Sequence, residues 1–299
     1  MQLAAFPRSH SEGSPARLSN SHVRAERLEK QRASGILPRP EERDDTWEYV
    51  VRDQLATVKL SESIAKIGQP LTYRRAWRRA RRVLYPVRIA PLLAKIDHDR
   101  LASLRAQYAS SSADAPSMWR HYSKYLDIEK HIRQNVQRAQ DLNLHRFPPQ
   151  EVLDIGCGGG FFLYVAKALG HHGLGLDVDD FPFFNDLVDL LGVERTVYKV
   201  AGLEALPEFG RQFDLITAFA TAFHGSREDE WRWTEKEWDF FLADLKTRLR
   251  PGGRIFLDLN AAYHGEYYTP GILDVFLRHG GMVERGNVSF SIPKANAGL

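Results

Sequence analysis

Hydrophobic and polar positions follow two different patterns along this chain, and the pattern changes near residue 150. After that point, short runs rich in Val, Ile and Leu alternate with segments whose apolar residues repeat at helical spacing, as a parallel sheet with helical crossovers requires. The predicted strands are Glu151–Ile155, Gly173–Asp177, Thr196–Val200, Phe213–Phe219 and Arg254–Leu259. The predicted helices run from about Gly160 to Leu169, Phe184 to Leu191, Thr234 to Leu249 and Ile272 to His279. Met282–Glu284 and Val288–Ile292 are predicted to close the sheet as a hairpin that turns at Gly286 and Asn287.

The first half of the chain has a helical pattern without a convincing strand. Its clearest predicted helix is Tyr73–Tyr85, which Pro86 ends, and a second runs from about Leu126 to Leu142. One face of the first helix carries six arginines: Arg74, Arg75, Arg78, Arg79, Arg81 and Arg82. Residues before 46 contain few large apolar side chains and are expected to be disordered. We therefore expect a disordered tail over residues 1–45, a helical extension over 46–145 and an α/β domain over 146–299.

Composition and charge narrow the class of protein. The 299 residues are 43% hydrophobic and 26% charged, and no apolar run approaches the roughly 18 residues that cross a bilayer. One cysteine, Cys157, excludes an internal disulfide, so a cytoplasmic location is expected. Glu12, Glu26 and Glu29 argue against a targeting segment. The net charge of +3 conceals +11 over residues 1–150 and −8 over residues 151–299, which predicts two segments with different surfaces.

A glycine-rich turn follows the first predicted strand, in the order Asp154-Ile-Gly156-Cys157-Gly158-Gly-Gly160. Glycines let the chain turn sharply and let a ligand approach the backbone, and the following helix offers free N–H groups. The dinucleotide fingerprint would need glycine where Phe161 stands. Asp177 ends the next strand, where a carboxylate could accept hydrogen bonds from both hydroxyls of a ribose. The pattern predicts a nucleoside site.

These residues resemble the class I S-adenosylmethionine-dependent methyltransferases over residues 146–299. The resemblance rests on four segments in the family's order: Val152–Gly160, Gly173–Asp177, Phe213–Ile216 and Leu249–Phe256. It implies a Rossmann-like, doubly wound and mostly parallel seven-stranded sheet whose last strand is antiparallel. It also implies a transferase that uses S-adenosylmethionine for methylation.

The same resemblance implies roles for individual residues. Asp154 and the loop from Gly156 to Gly160 would lie along the methionyl end of the cofactor, Asp177 would hold the ribose, and Val178 would pack on the adenine. The segment Ala201–Pro207 would cover the other face of the adenine. Family members often carry an acidic residue where Gly202 stands, so its absence leaves the adenine amine to the backbone or to Glu204. The predicted cofactor-binding set is Asp154, Gly156, Cys157, Gly158, Gly160, Asp177, Val178, Gly202, Leu203 and Phe219, and Cys157 is expected to be a small buried side chain rather than a reactive thiol.

Candidate acceptor residues follow the fourth and fifth strands. His224 is the predicted catalytic base, with packing in a loop as the alternative interpretation. The (Asp/Asn/Ser)-Pro-Pro-aromatic motif of many N-methyltransferases is absent there, which favours an oxygen acceptor. Weaker candidates are Trp231, Trp233 and Trp238, which could also be packing anchors, Asn260, His264, Glu266 and Tyr268 on the opposite rim, and Tyr122, Lys124 and Tyr125 in a lid. No cluster has metal-ligand spacing, and the side chains of His171 and His172 should point apart.

The sequence thus predicts an S-adenosylmethionine-dependent methyltransferase for a small-molecule or carbohydrate-like acceptor, with O-methylation favoured over N-methylation. One alternative is an RNA methyltransferase whose basic N-terminal half binds phosphates, and another is a cofactor-binding interaction protein without catalysis. The arginine face of Arg74–Arg82 is expected to be solvated or to bind within the chain. An anionic membrane surface and a nucleic acid are its other possible partners.

Overall fold

The computed structural model describes residues 82, 86–109, 123–221, 224–225, 232–261 and 265–293. Among the described residues before the sheet are the helices α1 (Ala90–Leu93), α2 (His98–Ala109) and α3 (Ile128–Asp141). Short 3₁₀ turns at Ser123–Leu126 and Leu144–Arg146 flank α3. The Asp127 carboxylate caps α3 by accepting a hydrogen bond from the Lys130 N–H at 3.1 Å. The helix predicted over 126–142 is therefore confirmed with slightly shorter bounds.

The sheet begins where the pattern of the chain changes. Its strands are β1 (Glu151–Ile155), β2 (His172–Asp177), β3 (Glu194–Val197), β4 (Phe213–Thr221), β5 (Leu249–Leu259), β6 (Met282–Glu284) and β7 (Asn287–Ser291). The connecting helices are α4 (Phe161–Ala168), α5 (Pro182–Leu191), α6 (Glu235–Thr247) and α7 (Pro270–Arg278). The strand order is β3-β2-β1-β4-β5-β7-β6, parallel through β5, with β7 antiparallel to both of its neighbours. The predicted Rossmann-like, mostly parallel seven-stranded sheet is confirmed.

Apolar cores cover both faces of the sheet, as its doubly wound architecture requires. On one face, helices α2 to α5 form a core that includes Ile132 of α3 and Val165 of α4. On the other face, α6 and α7 pack through Trp238 and Phe276, whose rings meet edge to face at 5.1 Å. Helix α3 therefore forms part of the layer that covers the sheet.

Several strand boundaries differ from the prediction, and pairing explains three of these differences. Strand β3 ends at Val197 rather than Val200, since its partner β2 ends at Asp177. Strand β5 begins at Leu249 rather than Arg254, because Leu249 already pairs with Phe213 before the register shifts. The closing hairpin turns at Arg285 and Gly286, with Arg285 at φ 57°, because Asn287 already pairs with Glu284.

The predicted arginine helix lies outside the described residues, apart from Arg82. Arg82 is helical, and its guanidinium donates two hydrogen bonds to the Asp141 carboxylate, at 3.2 Å from Nε and 2.6 Å from Nη2. This arginine therefore binds within the chain. No helix in the described part of the chain is long and apolar enough to cross a membrane. The boundaries expected at residues 45 and 145 remain predictions.

Candidate cofactor and acceptor cleft

A cleft of about 1040 Å³ opens at the carboxyl ends of β1, β2 and β4. This is the edge of an open α/β sheet where ligands bind, and the volume is at the upper end of the roughly 300–1,000 Å³ typical of small-molecule sites. Its sheet-side wall consists of Asp154 to Gly159, Leu176 to Val178, Asp180 and Phe219 to Thr221. Its helix-side wall consists of Lys124, Tyr125, Lys130, His131, Gln134, Asn135, Arg138, Phe161, Phe162 and Phe184. Tyr198 to Gly202 and Glu237 close one end.

The glycine loop forms the floor of the cleft and has backbone angles that residues with side chains rarely adopt. Gly156 and Gly158 have φ values of +69° and +54°, in the left-handed region that favours glycine. A Cβ at Gly156 would collide with the Thr221 methyl group, whereas a Cβ at Gly158 would have only the Phe184 ring near it, at 3.9 Å. The space beside Gly158 is therefore open to a ligand. Gly160 does not line the cleft. It is the N-cap residue immediately before α4, with φ +77°.

Asp177 lies at the end of β2 with its carboxylate turned toward the glycine loop. Its Oδ2 accepts a hydrogen bond from the Gly158 N–H at 2.5 Å, and its Oδ1 accepts one from the Val178 N–H at 2.8 Å. Burial raises the pKa of Asp177, and these two backbone hydrogen bonds oppose the shift. Because a carboxylate has about four acceptor positions, both oxygens retain capacity for the hydroxyls of a ribose.

Asp154 is the most deeply buried carboxylate of the cleft wall. Its side chain is fully enclosed, and its Oδ1 accepts a hydrogen bond from the Thr217 hydroxyl at 2.6 Å. Burial raises the pKa of Asp154 to about 7, although the Thr217 bond and the Arg138 charge lower it. A positively charged ligand group beside it would favour its ionised form. Asp154 is therefore suited to a cationic ligand.

Arg138 extends from α3 toward the same region. Its guanidinium carbon lies 4.4 Å from the centre of the Phe219 ring, and its Nη1 donates to the Asn135 side-chain oxygen at 3.1 Å. Its Nη2 lies 3.8 Å from an Asp258 oxygen. Burial lowers its pKa, but an arginine remains charged at neutral pH. Arg138 could pair with a ligand carboxylate near Asp154.

Three stacked rings line the helix side of the cleft. His131 lies between Tyr125 and Phe161, with ring centres 4.8 and 5.0 Å away and interplanar angles of 29° and 25°. Burial lowers the pKa of His131, so the imidazole is neutral at pH 7. Lys124 and Lys130 are exposed beside this stack. The wall combines flat apolar surfaces with positive charge.

The structure places eight of the ten predicted cofactor-binding residues in the lining of the cleft. Asp154, Gly156, Cys157, Gly158, Asp177, Val178, Gly202 and Phe219 line the cleft, while Gly160 and Leu203 do not. Leu203 is 44% exposed and has φ 62°, so its side chain points away from the lining. Cys157 is buried, and burial raises its thiol pKa, as expected for a side chain that fills space.

His224 is not among the cleft-lining residues. It is 3% exposed, and its ring centre lies 5.3 Å from that of Trp238. Burial lowers its pKa to about 4, so the imidazole is neutral at pH 7. This environment favours the packing interpretation, and its role as a catalytic base remains a prediction. Trp233 and Trp238 are also buried, in the core with Phe241, so they are packing anchors.

The other rim candidates have separate locations. The Asn260 amide donates to the carbonyls of Ala220 and Thr221, at 2.8 and 3.1 Å, and so holds the end of β4, where Ala220 has φ 51°. Glu266 is exposed, and Tyr268 packs on Phe276. Lys124 and Tyr125 do line the cleft, as expected of a lid. Tyr122, Trp231 and His264 lie outside the described residues.

Metal ligation has no support in the described part of the chain. No group of three or more His, Cys, Asp or Glu side chains there could hold an ion. His171 is buried, and its ring bonds the Leu144 carbonyl oxygen and the Gln150 N–H, whereas His172 is exposed. The two side chains point apart, as predicted.

Residues of α3 and α6 were missed by the sequence analysis. His131, Asn135 and Arg138 are spaced four and three residues apart, so they share one face of α3. That spacing was the available signal, but it does not reveal which face of a helix meets a cleft. Glu237 reaches the cleft from α6, and no motif near it in the sequence predicts a contact with a ligand.

Comparison with known proteins gives a consistent classification. Residues 153–257 match a family described as a methyltransferase domain. The chain is similar to the tRNA U34 carboxymethyltransferases of Campylobacter hominis (35% identical over 112 residues) and Nautilia profundicola (27% over 146 residues). These matches cover 36% and 47% of this chain and only 35% and 40% of the relatives. A solved class I S-adenosylmethionine-dependent methyltransferase of Listeria monocytogenes is 15% identical, with a TM-score of 0.44, over 69% of this chain and 72% of that one.

S-adenosylmethionine fits the cleft on several independent grounds. It needs backbone amides near its methionyl group, an acceptor for its ribose hydroxyls and a compensating charge for its cationic end. The open space at Gly158, the carboxylate of Asp177 and the buried Asp154 meet these needs. The matching family and the topology lead to the same conclusion. Residues 153–257 of this chain therefore belong to a methyltransferase domain, and the cleft beside them fits S-adenosylmethionine as the cofactor.

Proposed function

We propose that this protein transfers a methyl group from S-adenosylmethionine to a nucleotide of an RNA, with tRNA as the first substrate to test. The observation that carries the proposal is the helix wall of the cleft, where stacked rings lie beside exposed lysines. The relatives named as tRNA U34 carboxymethyltransferases support the same class of acceptor, although the chain spans less than half of their length.

The cofactor is assigned to the sheet wall. Asp177 would accept from the ribose hydroxyls while Val178 contacts the adenine, and the amides of the glycine loop would face the methionyl group. Asp154 and Arg138 would balance the charges of the amino-acid end. The cofactor supplies a methyl group already activated by its sulfonium. The protein then has to align the acceptor with that methyl and exclude water, and such alignment provides much of the rate increase.

The acceptor is assigned to the helix wall. A nucleobase can stack on Tyr125, the half-buried ring at one end of the stack with His131 and Phe161, an interaction worth about 1–3 kcal/mol per base in single-stranded nucleic acid complexes. Lys124 and Lys130 are exposed beside these rings and could contact phosphates. Stacking and positive charge together suit a nucleotide better than an uncharged sugar. This wall therefore favours the RNA alternative over the small-molecule acceptor expected from the sequence.

The proposal can be tested with purified protein, methyl-labelled cofactor and total tRNA. We expect label in tRNA, and mass spectrometry of the digested nucleosides will identify the acceptor atom and distinguish a methyl from a carboxymethyl addition. A parallel reaction with the small-molecule fraction of a cell extract tests the other class of acceptor. Label that enters only small molecules would contradict the RNA proposal.

A binding measurement tests the helix wall without catalysis. Lys130→Ala should lower the slope of log affinity for tRNA against log salt by about 0.7–0.9, the contribution of one phosphate contact. Lys95→Ala removes an equal charge from an exposed position that does not line the cleft, and should leave the slope unchanged. Equal slopes for the Lys130 variant and the wild type would remove this lysine from the RNA contact.

A further inference from the structure

Gly202 and Glu237 meet at the end of the cleft that is closed by the segment after β3 and by α6. A Cβ built on Gly202 would collide with the Glu237 carboxylate, which occupies the space where a side chain at position 202 would begin. Both residues line the cleft. The absence of a side chain at position 202 thus lets a carboxylate from α6 reach this place.

The segment that contains Gly202 is held firmly against α6. The Leu206 N–H donates to an Asp244 oxygen at 2.9 Å, and the Arg248 guanidinium donates to the Leu206 carbonyl at 2.8 Å. The Tyr198 hydroxyl donates to the Ala205 carbonyl at 2.9 Å, which ties the segment to the end of β3. Because several bonds hold the segment, the contact between Gly202 and Glu237 is a property of the fold.

The two carboxylate oxygens of Glu237 differ in their hydrogen bonds. Its Oε2 accepts from the Thr234 N–H at 2.7 Å and from the Thr234 hydroxyl at 3.1 Å, which stabilises the start of α6. Oε1, the atom nearest the Gly202 position, takes part in neither of these bonds. This oxygen remains available to accept a hydrogen bond from a ligand.

We propose that Glu237 recognises the 6-amino group of the cofactor's adenine and makes the cleft selective for adenine. This inference rests on the cofactor placement in the proposed function, which brings the adenine from Val178 toward Gly202. Glu204 is exposed and does not line the cleft, so Glu237 replaces it as the acidic group at this end. A carboxylate accepts from an amine but repels the carbonyl oxygen of hypoxanthine, so it discriminates between these two bases.

The test compares S-adenosylhomocysteine with its hypoxanthine counterpart, S-inosylhomocysteine, by calorimetric titration of the full chain. The wild type should prefer the adenine ligand by at least about tenfold, the scale of one charge-assisted hydrogen bond. Glu237→Gln should bring this ratio close to one, because an amide can donate to the carbonyl of hypoxanthine. Glutamine also preserves the bond to the Thr234 N–H at the start of α6.

Two control variants separate recognition from structure. Glu235→Gln removes a charge from the same helical turn but outside the cleft lining, and should leave the ratio unchanged. Thr234→Ala should lower the melting temperature through the lost cap while keeping the ratio. A Glu237→Gln variant with the wild-type ratio would overturn the inference, as would a wild type without preference, although the proposed function would still stand. If the wild type binds neither ligand, the cofactor placement itself is wrong.

Discussion

The two walls of the cleft differ in how they present chemistry to a ligand. The sheet wall uses the backbone of Gly156 to Gly159, in the loop after β1, and the carboxylates of Asp154 in β1 and Asp177 at the end of β2. The helix wall uses side chains alone, among them Tyr125, His131 and Arg138. A backbone wall is sensitive to any added Cβ, whereas a side-chain wall can be changed one contact at a time. The comparison suggests that the cofactor side tolerates little change and the acceptor side allows more.

Replacing glycines of the loop tests the backbone wall and should have the largest effect. Gly156→Ala places a Cβ against Thr221 at a positive φ, so we expect a loss of about 3 kcal/mol in the free energy of unfolding and no measurable cofactor binding. Gly158→Ala has the same backbone strain but open space, and should cost about 1–2 kcal/mol while still blocking the ligand. Denaturant titrations will compare the two variants. Equal stability losses would mean that the Thr221 contact does not matter.

The carboxylate of the sheet wall gives the next largest effect. Asp177→Ala should weaken S-adenosylhomocysteine binding by at least about 100-fold, because both ribose hydroxyls lose a charged acceptor, each bond being worth about 1.5–3 kcal/mol. Asp179→Ala, an exposed position two residues away, is the matched control. Calorimetry measures both affinities. An Asp177 variant that binds as tightly as the wild type would refute the ribose assignment.

The raised pKa of Asp154 predicts that both the stability of the fold and the affinity for the cofactor depend on pH. Its folded pKa of about 7 lies above its ordinary value of 3.8, so the folded state keeps a proton that the unfolded state loses. Its contribution to stability is therefore lost as pH rises from about 4 to about 7, on the order of a few kcal/mol in all. A cationic cofactor favours the ionised form, so cofactor affinity should increase with pH up to about 7 and binding should release protons.

The Asp154→Asn variant isolates this carboxylate from the histidines, whose lowered pKa values act in the opposite direction below pH 6.5. Its cofactor affinity should change less than that of the wild type between pH 6 and pH 8. Titrations in two buffers of different ionisation enthalpy will count the released protons. A wild type that releases none near pH 6.5 would contradict the assignment.

His224 should affect cofactor binding least, because it lies outside both walls. His224→Ala should lower the free energy of unfolding by about 1–3 kcal/mol through lost packing against Trp238, with cofactor affinity unchanged. Turnover per folded molecule distinguishes the two interpretations of this residue. If turnover collapses while stability is retained, His224 is the catalytic base that the sequence predicts.

The sheet wall was predictable from the sequence because its signals are local. Strand, glycine turn and helix follow one another within 18 residues, from Glu151 to Ala168, and Asp177 is the last residue of the next strand. The mostly parallel seven-stranded sheet with an antiparallel last strand was implied by the resemblance to the family. For these features, neighbours in sequence are neighbours in the site.

The helix wall was less predictable because its residues meet the cleft through tertiary packing. Periodicity identified α3 but not the direction in which His131 and Arg138 face. Glu237 reaches Gly202 across 35 residues of chain, and tertiary bonds such as those of Leu206 with Asp244 and Arg248 bring the two together. For His224, the sequence located the loop but could not show that the side chain is buried.

A crystal structure of the full chain with S-adenosylhomocysteine tests the central claim most directly. We predict a nucleoside with its ribose hydroxyls on Asp177, its adenine edge on Glu237 and its amino-acid end toward Asp154 and Arg138, leaving the ring of Tyr125 accessible. A ligand bound elsewhere, or one whose ribose lies on the helix wall, would contradict the division of the cleft into a cofactor wall and an acceptor wall.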